Sequence, residues 1–159
     1  MAPTPSVSVQ AEAFDTGAEV AALTAGRTDI GAVVSFTGLV RDLTGDLEAM
    51  TLEHYPGMTE RELTAIAEDA CKRWPLDGVR VIHRYGRLTP GDPIVLVVTA
   101  SAHRRAAFEA ADFLMDYLKT RAPFWKKESR HGTAGEWVEA KAKDDADAAR
   151  WEKGEKVQE

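Results

Sequence analysis

A single cysteine, Cys71, stands among 159 residues, so neither an internal disulfide nor a cysteine-based zinc site can form. The lack of cysteine pairs leads us to expect a reducing compartment, the cytoplasm. No stretch approaches the ~18 consecutive apolar residues of a membrane span. The opening MAPTPSVSVQ has no basic patch ahead of an apolar run, so no secretory signal is expected. Positive charge is also in deficit, with 20 Lys and Arg against 26 Asp and Glu and a net charge of −6. That balance argues against a general nucleic-acid binder, and an anionic ligand would need a local basic site. There is no G-x-S-x-G element, no Cys-His pair and no phosphate-loop glycine pattern, which removes the common routes through a covalent protein intermediate or a nucleotide cradle. His54 and His83 lie in strand-like segments without a second ligand at metal spacing. They read as structural histidines, and neither a metal nor a cofactor is expected.

What is present is enough apolar residue, 44%, to build one core. A chain of this length buries roughly 70% of its unfolded surface. We expect one domain over 1–151 and a charged, frayed tail over 152–159. Alternation predicts a strand from Val7 to Phe14, then a helix from Thr16 to Ala25 closed by Gly26. Gly31 to Arg41 and Leu47 to Tyr55 read as strands joined by the turn Asp42–Asp46, and together as a hairpin. Thr59 and Glu62 have capping-box spacing, so a helix is expected to start there. Leu63, Ile66, Ala67, Ala70, Cys71 and Trp74 continue it at helical spacing until Pro75, which places Cys71 on the buried face. Gly78 to Gly86 and Pro93 to Ser101 are predicted strands around the turn Thr89–Asp92. Ser101 is placed to cap a helix from Ala102 to Arg121, with Phe108, Ala111, Leu114, Met115 and Leu118 on its apolar face. Phe124–Glu128 and Glu136–Ala140 read as a closing strand pair, and Asp144–Trp151 as a last helix. Strands that cluster rather than alternate with helices define an α+β class: a single compact domain of antiparallel strand pairs with three to four helices.

Charge is distributed against the overall sign. From Ser101 to His131 there are seven Lys or Arg against four acids, a local +3 that leaves −9 on the other 128 residues. Its leading edge, His103-Arg104-Arg105, puts cations in the first turn of a helix, where the macrodipole already supplies positive charge. A bound anion would turn that cost into a gain, because free amides and guanidinium groups would converge on it. A solvated helix end that tolerates the cost is the other reading. At the far end, Lys119 follows Leu118, and Lys126 follows Phe124-Trp125 after the Pro123 break. Lysines beside bulky apolar groups can lose solvation and exchange protons near neutral pH. Equally, a helix-terminal lysine can simply complement the dipole.

Three stretches, GAVVSFTGLVR (31–41), LEHYPGMTE (52–60) and SAHRRAAFEAADFLMDYLKTRAPFWKKE (101–128), together resemble the large, catalytic subunit of molybdopterin synthase. The resemblance runs from about Gly31 to Trp151 and implies a hammerhead-like α+β fold. It implies a homodimer in which each chain binds a small ubiquitin-like sulfur carrier, a heterotetramer overall. The carrier's C-terminal Gly-Gly thiocarboxylate would supply two sulfurs to cyclic pyranopterin monophosphate, forming the molybdopterin dithiolene without metal or cofactor. By position, the resemblance puts the essential lysines at Lys119 and Lys126 and the anion-binding groups at Arg41, His103 and Arg104. The chain ends Lys-Val-Gln-Glu and so is expected to be neither the carrier nor a fusion with it. The compact loop Asp42–Asp46 and the extra charge at Arg105 depart from the family pattern, and Lys141 stands where the family has a basic residue near the site. The competing reading is a non-catalytic dimeric module that uses the same basic pocket to bind a phosphorylated metabolite or a protein tail. Lys119 and Lys126 discriminate the two, since binding needs only charge whereas proton exchange distinguishes Lys from Arg.

Overall fold

Continuous apolar runs such as PIVLVVTAS belong to strands covered on both faces, and here they form the middle of a sandwiched sheet. The computed structural model describes residues 3–132, 135–138 and 142–152. Its elements in order are β1 (Ser6–Gln10), α1 (Thr16–Thr24), β2 (Ala32–Leu39), β3 (Leu47–His54), α2 (Met58–Arg73) and β4 (Leu76–Arg84). There follow β5 (Gly86–Leu88), β6 (Pro93–Ser101), α3 (Arg104–Thr120), β7 (Phe124–Arg130), β8 (Glu136–Val138) and α4 (Ala142–Glu152). The strands sort into two sheets, ordered β1-β4-β6-β2 and β5-β3-β7-β8, and every pairing is antiparallel except β1 with β4. The expected α+β class is the one observed.

On one face of the first sheet, Val79, Val81, Val95 and Val97 pack with Leu63 and Ile66 of α2 and Phe113 and Leu114 of α3. On the other face, Ile82, Leu96 and Val98 pack with Val20 and Leu23 of α1. Helix α4 closes the first layer. Trp151 donates to Asp116 at 2.7 Å, and Arg150 reaches Asp112 and Asp116 at 2.6 and 2.9 Å. Among the described residues, no helix is long and apolar enough to cross a membrane. Glu152 closes α4, and the rest of the tail expected to fray lies outside the described residues.

Three local expectations are corrected. β2 and β3 do not form a hairpin, since β2 pairs with β6 and β3 with β5 and β7. The Asp42 carboxylate accepts from Gly45 N at 2.9 Å and Leu47 N at 3.2 Å, while Val40 bonds the Asp92 carbonyl at 2.9 Å. The compact turn thus hands the chain to the second sheet, and Arg130 pins it through Asp46 at 2.6 Å. Thr59 is not the cap of α2: Gly57, at φ +83°, holds that position and donates to the Glu60 carboxylate. Glycine reaches that backbone region without strain, so the helix begins two residues earlier than Thr59 suggested. Phe108, expected on the apolar face of α3, is 62% exposed, and the inner face carries Ala106, Ala107, Ala110, Phe113 and Tyr117 instead.

Candidate functional site

Helix α3 sets the geometry by carrying the two candidate sites on opposite ends. Its start is fixed at the Ser101 end of β6. The Ser101 hydroxyl donates to Pro75 O at 2.8 Å and accepts from His103 N at 3.2 Å, and Thr99 donates to Ala107 O at 2.7 Å. A Cβ on Gly31 would overlap the Ala102 carbonyl oxygen, so only glycine allows β2 to enter this close to the helix start. At this end His103 is the N-cap residue, and Arg104 opens the helix and lines a shallow depression of about 200 Å³ with Arg105, Phe108 and Glu109. Arg105 is drawn aside by Glu109 at 3.7 Å, whose other oxygen accepts from the Trp74 indole at 2.9 Å.

Lys119 lies 15 residues further along α3, about 22 Å at 1.5 Å per residue. One chain therefore cannot bring Arg104 and Lys119 to the same small ligand. Arg41 belongs to the lysine end: β2 finishes with Leu39 opposite Pro93, and Val40 exchanges hydrogen bonds with Asp92 and Gly91 in the turn before β6. Lys126 belongs there too. On β7 it shares a face with Phe124, and it sits opposite buried Leu52 while Phe124 sits opposite His54. So Arg41, Lys119 and Lys126 gather at one end, and His103 and Arg104 stand at the other. Lys141 lies outside the described residues.

The basic island thins out once its ion pairs are drawn. Arg105, Arg121 and Arg130 pair with Glu109, Glu62 and Asp46 at 3.7, 2.7 and 2.6 Å. Among the described residues, Arg41, His103, Arg104 and Lys119 make no ion pair, and all four are exposed. Cations without acids are the ones able to receive an anion.

At the same end is an aromatic cluster that sequence reasoning did not assemble. The His83 ring lies flat on Phe124, with centroids 3.8 Å apart and planes at 19°. His54 meets Tyr85 at 4.3 Å and Phe124 at 6.4 Å. Thr59, fully buried, accepts from Tyr55 N and donates to Pro123 O, both at 3.1 Å, tying the start of α2 to the break between the two lysines. The one available signal was that His83 continues the inward alternation of Val79 and Val81 to the strand's end.

Burial of the His83 ring pushes its pKa down to about 4, and the nearby charges of Lys119 and His54 act in the same direction. An unfolded histidine titrates near 6.5, so between pH 6.5 and about 4 the unfolded chain takes up a proton that the folded one refuses. Stability is fully present above the higher value and falls with pH through that window, by up to about 3 kcal/mol. Denaturant melts at pH 7.5 and pH 4 are expected to show a smaller acid loss in His83→Phe than in the parent, and equal losses would contradict the linkage. Cys71 is half-buried, and burial together with Glu68 raises its thiol pKa, the reverse of nucleophile activation.

The α+β chain has known counterparts. Residues 9–121 match the family model described as MoaE protein. A curated relative from Mesorhizobium japonicum, "Molybdopterin synthase catalytic subunit", is 64% identical over 148 residues, covering 92% of this chain and 93% of its own. The solved MoaE protein of Burkholderia ambifaria superposes with a TM-score of 0.81 at 51% identity, covering 93% of this chain and 98% of that one. A molybdopterin synthase structure from Staphylococcus aureus gives 0.74 at 31% identity, covering 82% and 95%. The chain belongs to the MoaE family, the catalytic subunits of molybdopterin synthase.

Proposed function

We propose that this chain takes sulfur from the C-terminal Gly-Gly thiocarboxylate of a separate ubiquitin-like carrier and delivers it to cyclic pyranopterin monophosphate, building the molybdopterin dithiolene. What supports this reading is that Lys119, in the last turn of α3, and Lys126, on β7 two residues after Phe124, lie at the same end of the fold as Arg41. Sulfur transfer needs the thiocarboxylate sulfur to bond to a pterin carbon, giving an acyl thioester. Water must then attack the acyl carbon and cleave its bond to sulfur, leaving a carboxylate on the carrier and the sulfur on the pterin. The tetrahedral oxyanion formed on the way is stabilised by an adjacent ammonium. Opening the cyclic phosphate and expelling water need groups that give and take protons, a role open to a lysine that loses its water when substrate and carrier tail fill the site. Lys119 serves the thiocarboxylate, and Lys126 holds the pterin or its phosphate.

The phosphate also needs fixed cations, and the pair suited to it, His103 and Arg104, is too far along α3 to serve the same chain's lysines. A homodimer supplies it if the helix start of one copy faces the lysine end of the other. Two carriers complete a heterotetramer, and the reducing cytoplasm is its compartment.

No sulfur source is built into the chain itself. Purified protein is expected to be inactive alone and to convert the pyranopterin substrate only with thiocarboxylated carrier. Cys71→Ala should turn over like the parent, because the thiol packs against the core cluster and holds its proton. Turnover without carrier, or its loss in folded Cys71→Ala, would contradict the assignment of the donor.

A further inference from the structure

His83 is an inward-facing polar side chain at the lysine end, and nothing in the sulfur-transfer chemistry above uses it. Its flanking register partners are Val9 of β1 and Val95 of β6, both apolar. Phe124 of β7 covers its ring face at 3.8 Å. Lys119 of α3 and His54 of β3 are close enough to act on it electrostatically, and His54 shares the Phe124 ring with it. Nδ1 is 2.9 Å from the Arg84 carbonyl oxygen. A carbonyl can only accept, so in the neutral ring the hydrogen is on Nδ1 and the lone pair is on Nε2. Among the described residues, neither Nε2 nor the Lys119 ammonium has a hydrogen-bond partner.

We propose that His83 is a positioning residue for Lys119, its Nε2 lone pair accepting a hydrogen bond from the ammonium, directly or through one water, when the carrier tail fills the site. The proposal rests on the reading of Lys119 as the group beside the thiocarboxylate. An ammonium has three donors, and a tail that displaces water leaves those not aimed at the oxyanion in need of acceptors. A carboxylate would neutralise the charge the oxyanion needs, whereas a neutral imidazole accepts without doing so. The Phe124 stack and the Arg84 carbonyl fix the direction of the lone pair. The low proton affinity of the ring keeps it an acceptor throughout the physiological pH range.

The test separates this contact from packing. In ¹⁵N NMR of the folded protein, His83 should show the Nδ1–H tautomer, and its pKa should rise in Lys119→Met because a neighbouring charge has gone. His83→Phe retains the stack but has no acceptor, and its single-turnover rate with thiocarboxylated carrier should fall about 10-fold or more, with carrier affinity unchanged. A hydrogen bond to the ammonium favours its charged form, so any alkaline limb set by Lys119 should move to lower pH in His83→Phe. His83→Gln, which offers a neutral oxygen near Nε2, should recover most of the rate. An Nε2–H tautomer, a His83 pKa indifferent to Lys119→Met, or parent turnover in His83→Phe would each overturn the proposal. If Lys119→Arg loses turnover while His83→Phe does not, this inference alone fails. Parent turnover in Lys119→Arg would remove the catalytic reading beneath it, whatever the NMR shows.

Discussion

Lys119→Arg is expected to keep carrier binding and to lose turnover by on the order of 10²-fold or more, the usual contribution of general acid–base catalysis. Arginine preserves the charge, so electrostatic attraction for the anionic tail survives. It holds its proton far too tightly to exchange it near neutral pH, and its planar fork is a different shape from a compact ammonium. Lys119 sits in the last turn of α3, exposed and without an acid, so the substitution breaks no ion pair and should leave the fold intact. Single-turnover measurement with thiocarboxylated carrier reads the chemical step free of product release. A parent rate in Lys119→Arg would mean that charge alone suffices, and would favour the binding-module reading.

The second large effect is expected at the other end of the helix. Arg104→Ala should weaken substrate binding by roughly 10- to 150-fold, since a charge-assisted contact to phosphate is worth about 1.5–3 kcal/mol. Carrier affinity should change much less. Arg104 has no acid partner, whereas Arg105 is held by Glu109 at 3.7 Å, so Arg105→Ala should have the smaller effect on substrate. Titration of the pyranopterin substrate against each variant distinguishes them, and unaltered affinity in Arg104→Ala would remove that residue from the site.

Local sequence signals located most elements because proline and periodicity act within a few residues. Pro75 and Pro123 end α2 and α3 close to where the pattern breaks, and Thr89–Asp92 is the tight turn it resembles, with Asp92 N bonded to Thr89 O at 2.9 Å. What local signals missed was long-range. Nothing in Gly31–Tyr55 states that its two strands part into different sheets, because the partners that claim them, β6 and β7, come more than forty residues later. Thr59 looked like a cap, yet its hydroxyl is used by Tyr55 and by Pro123, 64 residues on. Phe108 fitted a helical stripe, but alanines let α3 lie close to its neighbours and left that ring outside.

The candidate site divides in the same way. The cations were visible as a charge island, but which of them are spoken for by Glu62, Asp46 and Glu109 depends on packing. The resemblance named Arg41, His103, Arg104, Lys119 and Lys126 as one site. The helix predicted from Ala102 to Arg121 already implied about 22 Å between Arg104 and Lys119, and the observed α3 keeps that separation, which calls for a second copy.

Mixed dimers test that requirement directly. Lys119→Arg and Arg104→Ala chains, each poorly active alone at low substrate concentration, are to be unfolded together in equal amounts, refolded and assayed with thiocarboxylated carrier. If each site joins the lysine end of one chain to the helix start of the other, half of the dimers are mixed and each mixed dimer has one intact site. Activity should then recover to about a quarter of the parent value, as expected for a two-fold symmetric assembly. Activity no higher than the average of the two separate variants would show that each site lies within one chain, and would contradict the account.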